Sequence, residues 1–176
     1  MMDWKPCLEE GELLRWQGRP APRAFVFRNW VHSLVGLLLL LISAYWQMVG
    51  VQLAAVYHLP WLAWIPIPFV LIGLYLGVGH VLLARVEWEH VYYAVTDRRL
   101  LAQRGLLRQR IDTFALAELT GFQVKPLGAE LATLRVSALG TGSSLVFIAI
   151  EYPQQVTAML EAALIDNGHE VSMRAL

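Results

Sequence analysis

Two long stretches without a charged residue, 31–51 and 53–84, constrain this chain more than any other feature. The first contains Leu37-Leu38-Leu39-Leu40-Leu41-Ile42. As a helix rising 1.5 Å per residue it is long enough to cross the ~30 Å hydrocarbon core of a bilayer. The second is too long for one span, and Pro60, Pro66 and Pro68 divide it. Proline suits the first turn of a helix and disrupts its interior. The spacing predicts spans at 31–51 and 63–85, joined by a short uncharged interfacial connection. A cleaved signal peptide would need a short basic leader and a shorter apolar core, whereas about 30 mainly polar residues precede this full-length span.

The flanks set an orientation. Lys5, Arg15, Arg19, Arg23 and Arg28 precede the first span, and Arg85, Arg98, Arg99, Arg104, Arg108 and Arg110 follow the second. The connection between the spans has no lysine or arginine. Positive charge stays on the cytoplasmic side, so both chain ends are expected there. Trp30 and Trp88 would mark the inner face, and Tyr45, Trp46, Tyr57, Trp61 and Trp64 the outer one, where amphipathic rings meet the headgroups. Hydrophobic residues make up 57% and charged ones 16% of the chain, an excess these spans account for. Formal net charge is +0, which gives no reason to expect a nucleic-acid partner.

Gly73 and Gly77 form a GxxxG pair inside the second span. Small residues let a neighbouring backbone approach closely. That neighbour is either the first span of the same chain, or another membrane protein or second copy. His80 and Gln47 are polar groups within the spans, both near an interface.

From Glu87 the pattern changes to short β-type segments separated by turns. Val91, Tyr93 and Val95 alternate with His90, Tyr92 and Ala94. Thr96-Asp97-Arg98 turns the chain into a strand at 99–103, closed by Gly105, and strands are expected at 108–114 and 119–126. A half-buried strand at 131–138 carries Leu134 and Val136 on one face. The Gly140-Thr141-Gly142-Ser143-Ser144 turn leads to 145–150, apolar on both faces and therefore expected to be central. Pro153 then opens a helix whose Val156, Met159, Leu160, Ala163 and Leu164 share one face, and Asn167-Gly168 ends it. The three expected regions are an N-terminal cytoplasmic segment (1–28), a transmembrane hairpin (29–86) and a soluble domain (87–176). A run of strands followed by one amphipathic helix implies a bent antiparallel sheet or barrel capped by that helix.

Two signatures and this ending carry a resemblance. They are Gly11-Glu12-Leu13-Leu14-Arg15-Trp16-Gln17-Gly18-Arg19-Pro20, and Tyr93-Ala94-Val95-Thr96-Asp97-Arg98-Arg99-Leu100-Leu101 with Gly105 beyond it. Together they resemble the bacterial pleckstrin-homology-like membrane proteins, in which a transmembrane hairpin precedes the domain. The resemblance implies a seven-stranded bent barrel with a C-terminal helix. Six strands are evident after the hairpin; the seventh is either merged with a neighbour or supplied by 13–18.

No enzyme is expected. His32, His58, His80, His90 and His169 show no metal-ligand spacing, and the lone Cys7 excludes a multi-cysteine site, so no metal or cofactor is expected. Ser143 and Ser144 lack the nucleophile-elbow pattern, Gly140-Thr141-Gly142 lacks that of a phosphate loop, and Glu87 and Glu89 read as a solvated edge. The remaining cluster is Arg98, Arg99, Arg104, Arg108 and Arg110, opposed nearby only by Asp97. These arginines are the candidates for contact with lipid headgroups or a protein partner, each worth about 1 kcal/mol near an anionic surface. The spans already favour insertion by several kcal/mol, so the arginines are not needed as an anchor. The expected function is a non-enzymatic, membrane-anchored interaction module that binds protein partners or lipid headgroups. The alternative is an accessory subunit or assembly factor of a larger membrane protein complex, docking through its transmembrane hairpin at Gly73 and Gly77; a homo-oligomer is a further possible assembly.

Overall fold

The computed structural model describes residues 2–106, 108–138, 144–168 and 174–175. The expected glycine turn (140–143) and His169 lie outside them. The chain divides into two compact units: Met1–Phe25 together with Glu87–Leu176, and Val26–Val86.

In the second unit, helix α2 (Trp30–Tyr57) runs past the expected end at Val51, because 52–57 holds neither proline nor glycine. His58, in the left-handed conformation, caps it, and a 3-10 turn (Pro60–Trp64) follows. The return limb is α3 (Ile67–Leu74), a π-helical turn (Tyr75–Gly79) and α4 (His80–Trp88), with Pro66 at the N-cap of α3 as the proline argument places it. Both limbs are long and apolar enough to cross a membrane. Only small side chains are buried in them: Gly36, Ser43 and Gly50 on α2, Gly73 on α3 and Ala84 on α4, apart from Pro66 at the turn. Leu38, Leu41, Ile42, Leu71 and Leu82 are exposed. A helix pair that turns its leucines outward and its glycines inward is built for an apolar solvent.

The glycines differ in how much they matter. A Cβ on Gly36 would collide with the backbone of Leu76 and Gly77, and one on Gly73 would lie 2.7 Å from Leu40 N. One on Gly77 would meet nothing closer than Leu37 N at 3.6 Å, an ordinary contact. The GxxxG pair is thus occupied by the first limb of its own hairpin. Polar groups add two ties: Gln47 Nε2 donates to Ala63 O at 2.9 Å, and Ser33 Oγ lies 3.4 Å from His80 Nε2.

The other unit holds two four-stranded sheets. One has the order β1 (Leu14–Gly18), β2 (Tyr92–Thr96), β3 (Arg99–Arg104), β4 (Arg110–Ala115); the other has the order β7 (Ser144–Glu151), β6 (Leu131–Ala138), β5 (Leu119–Pro126), β8 (Arg174–Ala175). All pairings are antiparallel except β5 with β8. A short helix α1 (Pro22–Val26) follows β1. Helix α5 (Pro153–Asp166) buries Val156, Leu160 and Leu164 against the sheets, and Asn167 Nδ2 ties its end to Leu116 O at 2.7 Å. The seventh strand is β1, which precedes the hairpin in sequence. The two sheets do not close into a barrel.

Tyr93 and Phe147 stack at 4.6 Å in the shared core, among Phe25, Leu100, Leu134, Ile150 and Leu160. Sheet one is buried on its outer face as well: Trp4 covers Ala94 and Leu101 there. Strand β7 is not central but at a sheet edge. That edge is covered: Ala21 N donates to Ala149 O (2.7 Å), Ile148 N donates to Tyr93 Oη (3.1 Å), and the Arg104 guanidinium donates to Val146 O. These bonds replace a ladder partner and blunt the edge.

Gly36→Ala is expected to destabilise the hairpin by about 1–3 kcal/mol through backbone overpacking. Gly77→Ala is expected to be neutral or to stabilise by up to about 1 kcal/mol, since alanine is the better helix former. Thermal unfolding of the detergent-solubilised protein checks the contrast, which equal losses at both positions would refute.

Candidate functional site: the arginines of the β unit

The five arginines marked in the sequence are not one cluster. They lie on and around the β2–β3–β4 meander, where alternation along each strand sends them to different faces.

Arg99 begins β3 and is committed to structure. Its Nε donates to Glu12 Oε1 at 2.9 Å and its Nη2 to Glu12 Oε2 at 2.8 Å, a two-pronged ion pair, while Nη1 lies 3.1 Å from Glu9 Oε1. Nη2 also donates to Cys7 O at 3.1 Å. Glu12 is 6% exposed. It accepts further from Glu9 N at 2.8 Å and lies 2.7 Å from the Thr96 hydroxyl. That hydroxyl in turn accepts from Arg98 N and Arg99 N and shapes the β2–β3 turn. Asp97 Oδ1 accepts from Leu13 N at 2.9 Å, and Leu13 O from Asp97 N at 3.1 Å. The two sequence signatures are therefore halves of one clasp. The hydrogen-bonded Arg99 guanidinium holds the Glu12 carboxyl well below the usual range, from 4.5 down to about 2, against the opposing effect of burial. The same bonds raise the pKa of Arg99.

Arg104 ends β3 on the inner face of its sheet, where it donates to Val146 O and lies 5.9 Å from the Tyr93 ring. Its Nε is buried without a partner among the described residues. Arg98 is exposed, 4.0 Å from Glu9 Oε2. Arg108 and Arg110 are exposed, and neither makes a side-chain hydrogen bond or ion pair among the described residues. Of the five candidates, two hold the fold together and three face solvent.

Sequence reasoning overlooked the structural role of Arg19, which it counted as topogenic charge and as part of the first signature. The Arg19 guanidinium sits 4.2 Å from the Trp88 ring and 4.6 Å from that of Tyr92, and Nη2 donates to Trp88 O at 3.1 Å. Trp88 Nε1 donates to Pro20 O at 2.7 Å, so its ring is packed within the unit. Beside Arg19 is a cleft of about 300 Å³ lined by Met2, Trp4, Gln17, Gly18 and Tyr92. No short-range pattern could have signalled this, since the partners are about 70 positions apart. In the hairpin unit, Gly73 and Gly77 lie against α2. His32 and His80, isolated in sequence, come to 6.4 Å between ring centroids.

Because its folded pKa is depressed, Glu12 contributes about 3 kcal/mol of stability that is fully present above pH 4.5 and lost as the pH falls through about 2. Glu12→Gln is expected to remove that acid limb and to cost about 3–5 kcal/mol at neutral pH by leaving Arg99 under-compensated. Urea unfolding of the detergent-solubilised protein at pH 7 and across pH 5–2 reads both effects. A variant whose acid limb matches that of the parent would refute the assignment.

Among known proteins, the chain matches the bacterial PH domain family over residues 24–164. No curated protein and no solved structure matches it. The match takes in the whole hairpin, strands β2–β7 and most of α5, and begins after β1, which the structure nevertheless pairs with β2. The open two-sheet architecture with its C-terminal helix agrees with that match, and the chain belongs to the bacterial PH domain family.

Proposed function

We propose that this protein is a membrane-anchored, non-enzymatic interaction module, in which the hairpin tethers the PH-like unit to the cytoplasmic face of the inner membrane and the unit binds a protein partner or lipid headgroups. One observation carries the reading. Strand β1 precedes the hairpin, β2 follows it, and the two pair along Leu14↔Thr96 to Gly18↔Tyr93. Both ends of the hairpin must then emerge on the same side of a membrane, and the flanking arginines make that side the cytoplasm. The strand pairing supports an even number of crossings independently of any charge rule.

Tethering gives the module its physical advantage. A second contact by an anchored unit is effectively intramolecular, so weak affinity is sufficient. Docking through the hairpin glycines is the less favoured reading, because α2 of the same chain already fills the face that Gly73 and Gly77 present.

Two measurements test this. With Cys7→Ser as background, a membrane-impermeant thiol reagent applied to intact spheroplasts is expected to label His58→Cys, and to label Glu10→Cys and Gln155→Cys only after permeabilisation. Photo-crosslinking residues placed at Arg98 and Gln155 are expected to give discrete adducts, and one at Leu38 only lipid. Labelling of Glu10→Cys and Gln155→Cys from opposite sides would overturn the topology. Discrete protein adducts at Leu38 alone would replace the module with a hairpin-docked subunit.

A further inference from the structure

We infer that the open edge of β4 pairs antiparallel with the same edge of a second copy of this chain. The inference names a partner for the anchored module and rests on that reading. The direction of the backbone hydrogen bonds is the first observation. Leu116 N donates to Arg98 O at 2.8 Å, which continues the register that runs from Arg99↔Ala115 to Arg104↔Arg110. Hydrogen-bonded pairs alternate along an antiparallel ladder. Arg110, Asp112 and Phe114 therefore direct their N–H and C=O groups at β3, while Ile111 and Thr113 direct theirs outward. Strand β4 ends its sheet, and among the described residues nothing bonds to those outward groups. Such an edge is a template for another strand. The β7 edge differs, because Ala21, Tyr93 and Arg104 bond to it.

The side chains supply the second observation. Arg110, Ile111, Asp112 and Thr113 are all exposed. Arg110 and Asp112 share the sheet face that carries Phe114 into the core, and neither makes an ion pair or side-chain hydrogen bond among the described residues. Ile111, on the other face, is 41% exposed. A second β4 can bond to the outward groups only in registers that set odd-numbered residues opposite odd-numbered ones. With Ile111 opposite its own copy, Arg110 faces the second copy's Asp112, and Asp112 faces its Arg110. These are non-hydrogen-bonded positions of the new ladder, where side chains come closest. The two isoleucines cover each other on the opposite face. Shifting to the next permitted register on either side sets Arg110 against Arg110 or Asp112 against Asp112, and like charges directly opposite repel.

The charge pattern thus selects one register, and the interface it selects is two-fold, with the same patch serving both copies. Charge is also the ordinary device that keeps an edge single. A run of one sign would repel a second copy, whereas opposite signs two positions apart on one face match their own reversed image. The ladder is short for an interface between freely diffusing proteins. Copies held in one membrane meet at a far higher effective concentration, so a short ladder is sufficient.

The test uses the full chain in proteoliposomes, in a Cys7→Ser background carrying Ile111→Cys, Thr113→Cys or, on α5, Gln155→Cys. Opposed residues of a hydrogen-bonded pair have Cα atoms about 5.5 Å apart, within disulfide reach. We expect oxidation to link Ile111→Cys to its own copy about ten-fold faster than it links Thr113→Cys or Gln155→Cys. With Ile111→Cys present, Arg110→Asp and Asp112→Arg are each expected to slow that reaction about ten-fold, because each sets like charges opposite one another. Combining both exchanges in one chain, or mixing the two single variants, is expected to restore the rate. Equal rates at 111 and 155, single-charge variants that behave as the parent, or no rescue by the double exchange would each overturn the inference. In native membranes, an adduct of 111 with a different polypeptide in place of the dimer would overturn it too. If 111 stays uncrosslinked while the photo-adducts at Arg98 persist, the edge fails and the anchored module stands. If alkaline carbonate strips the protein from membranes, the anchored module itself fails.

Discussion

The ion pair between Glu12 and Arg99 is the constraint on which the rest of the β unit depends. It joins two segments separated in sequence by the whole hairpin, and is reinforced by Thr96, by the reciprocal Leu13–Asp97 backbone bonds and by Glu9. Taking a carboxylate and a guanidinium out of water costs several kcal/mol each, which is recovered only where every remaining lone pair and N–H is engaged. Here both Glu12 oxygens are. The pair sets the start of β1 against the β2–β3 turn, and so fixes the register of Leu14–Gly18. It also draws residues 2–8 over the outer face of sheet one, where Trp4 buries Ala94 and Leu101. Without that clasp, β2 and β3 would show apolar side chains on a solvated face.

The two units solve opposite problems with opposite residues. In the β unit, large apolar side chains go inward and polar ones satisfy the edges, as water requires. In the hairpin, leucines face out and glycines face in, because the surrounding medium is as apolar as the side chains and only close backbone approach is left to hold the limbs together. This is why Gly36 matters as much as the GxxxG pair. A motif search reports the two glycines spaced four apart, whereas the packing depends on whichever glycines sit at the crossing, and these include one on the opposite limb.

Much of this was legible in the sequence. Lack of charge and the position of prolines place the hairpin, alternation places β5 and β6 at their observed bounds, and the 3.6-residue period gives the buried face of α5. What escaped was long-range. The apolar pattern of β7 looked central because alternation reports burial of faces and says nothing about neighbours in the ladder; the covering groups, Ala21, Tyr93 and Arg104, come from three other segments. The arginines looked like one cluster because spacing along a strand cannot reveal an acid contributed from more than 80 positions away. The π turn at Tyr75–Gly79 has no pattern of its own beyond permissive glycines.

The sorting of those arginines leads to a more general argument about charge in a tethered module. A chain already held by two apolar spans gains little from further nonspecific attraction to lipid, so basic residues that served only as anchors would be redundant. Arginines that are bonded internally, as Arg99 and Arg104 are, act on shape. Arg108 and Arg110, exposed and without a side-chain partner among the described residues, are the charges left to act outward, and in the proposed anchored module even a contact too weak to recruit a soluble protein is effective.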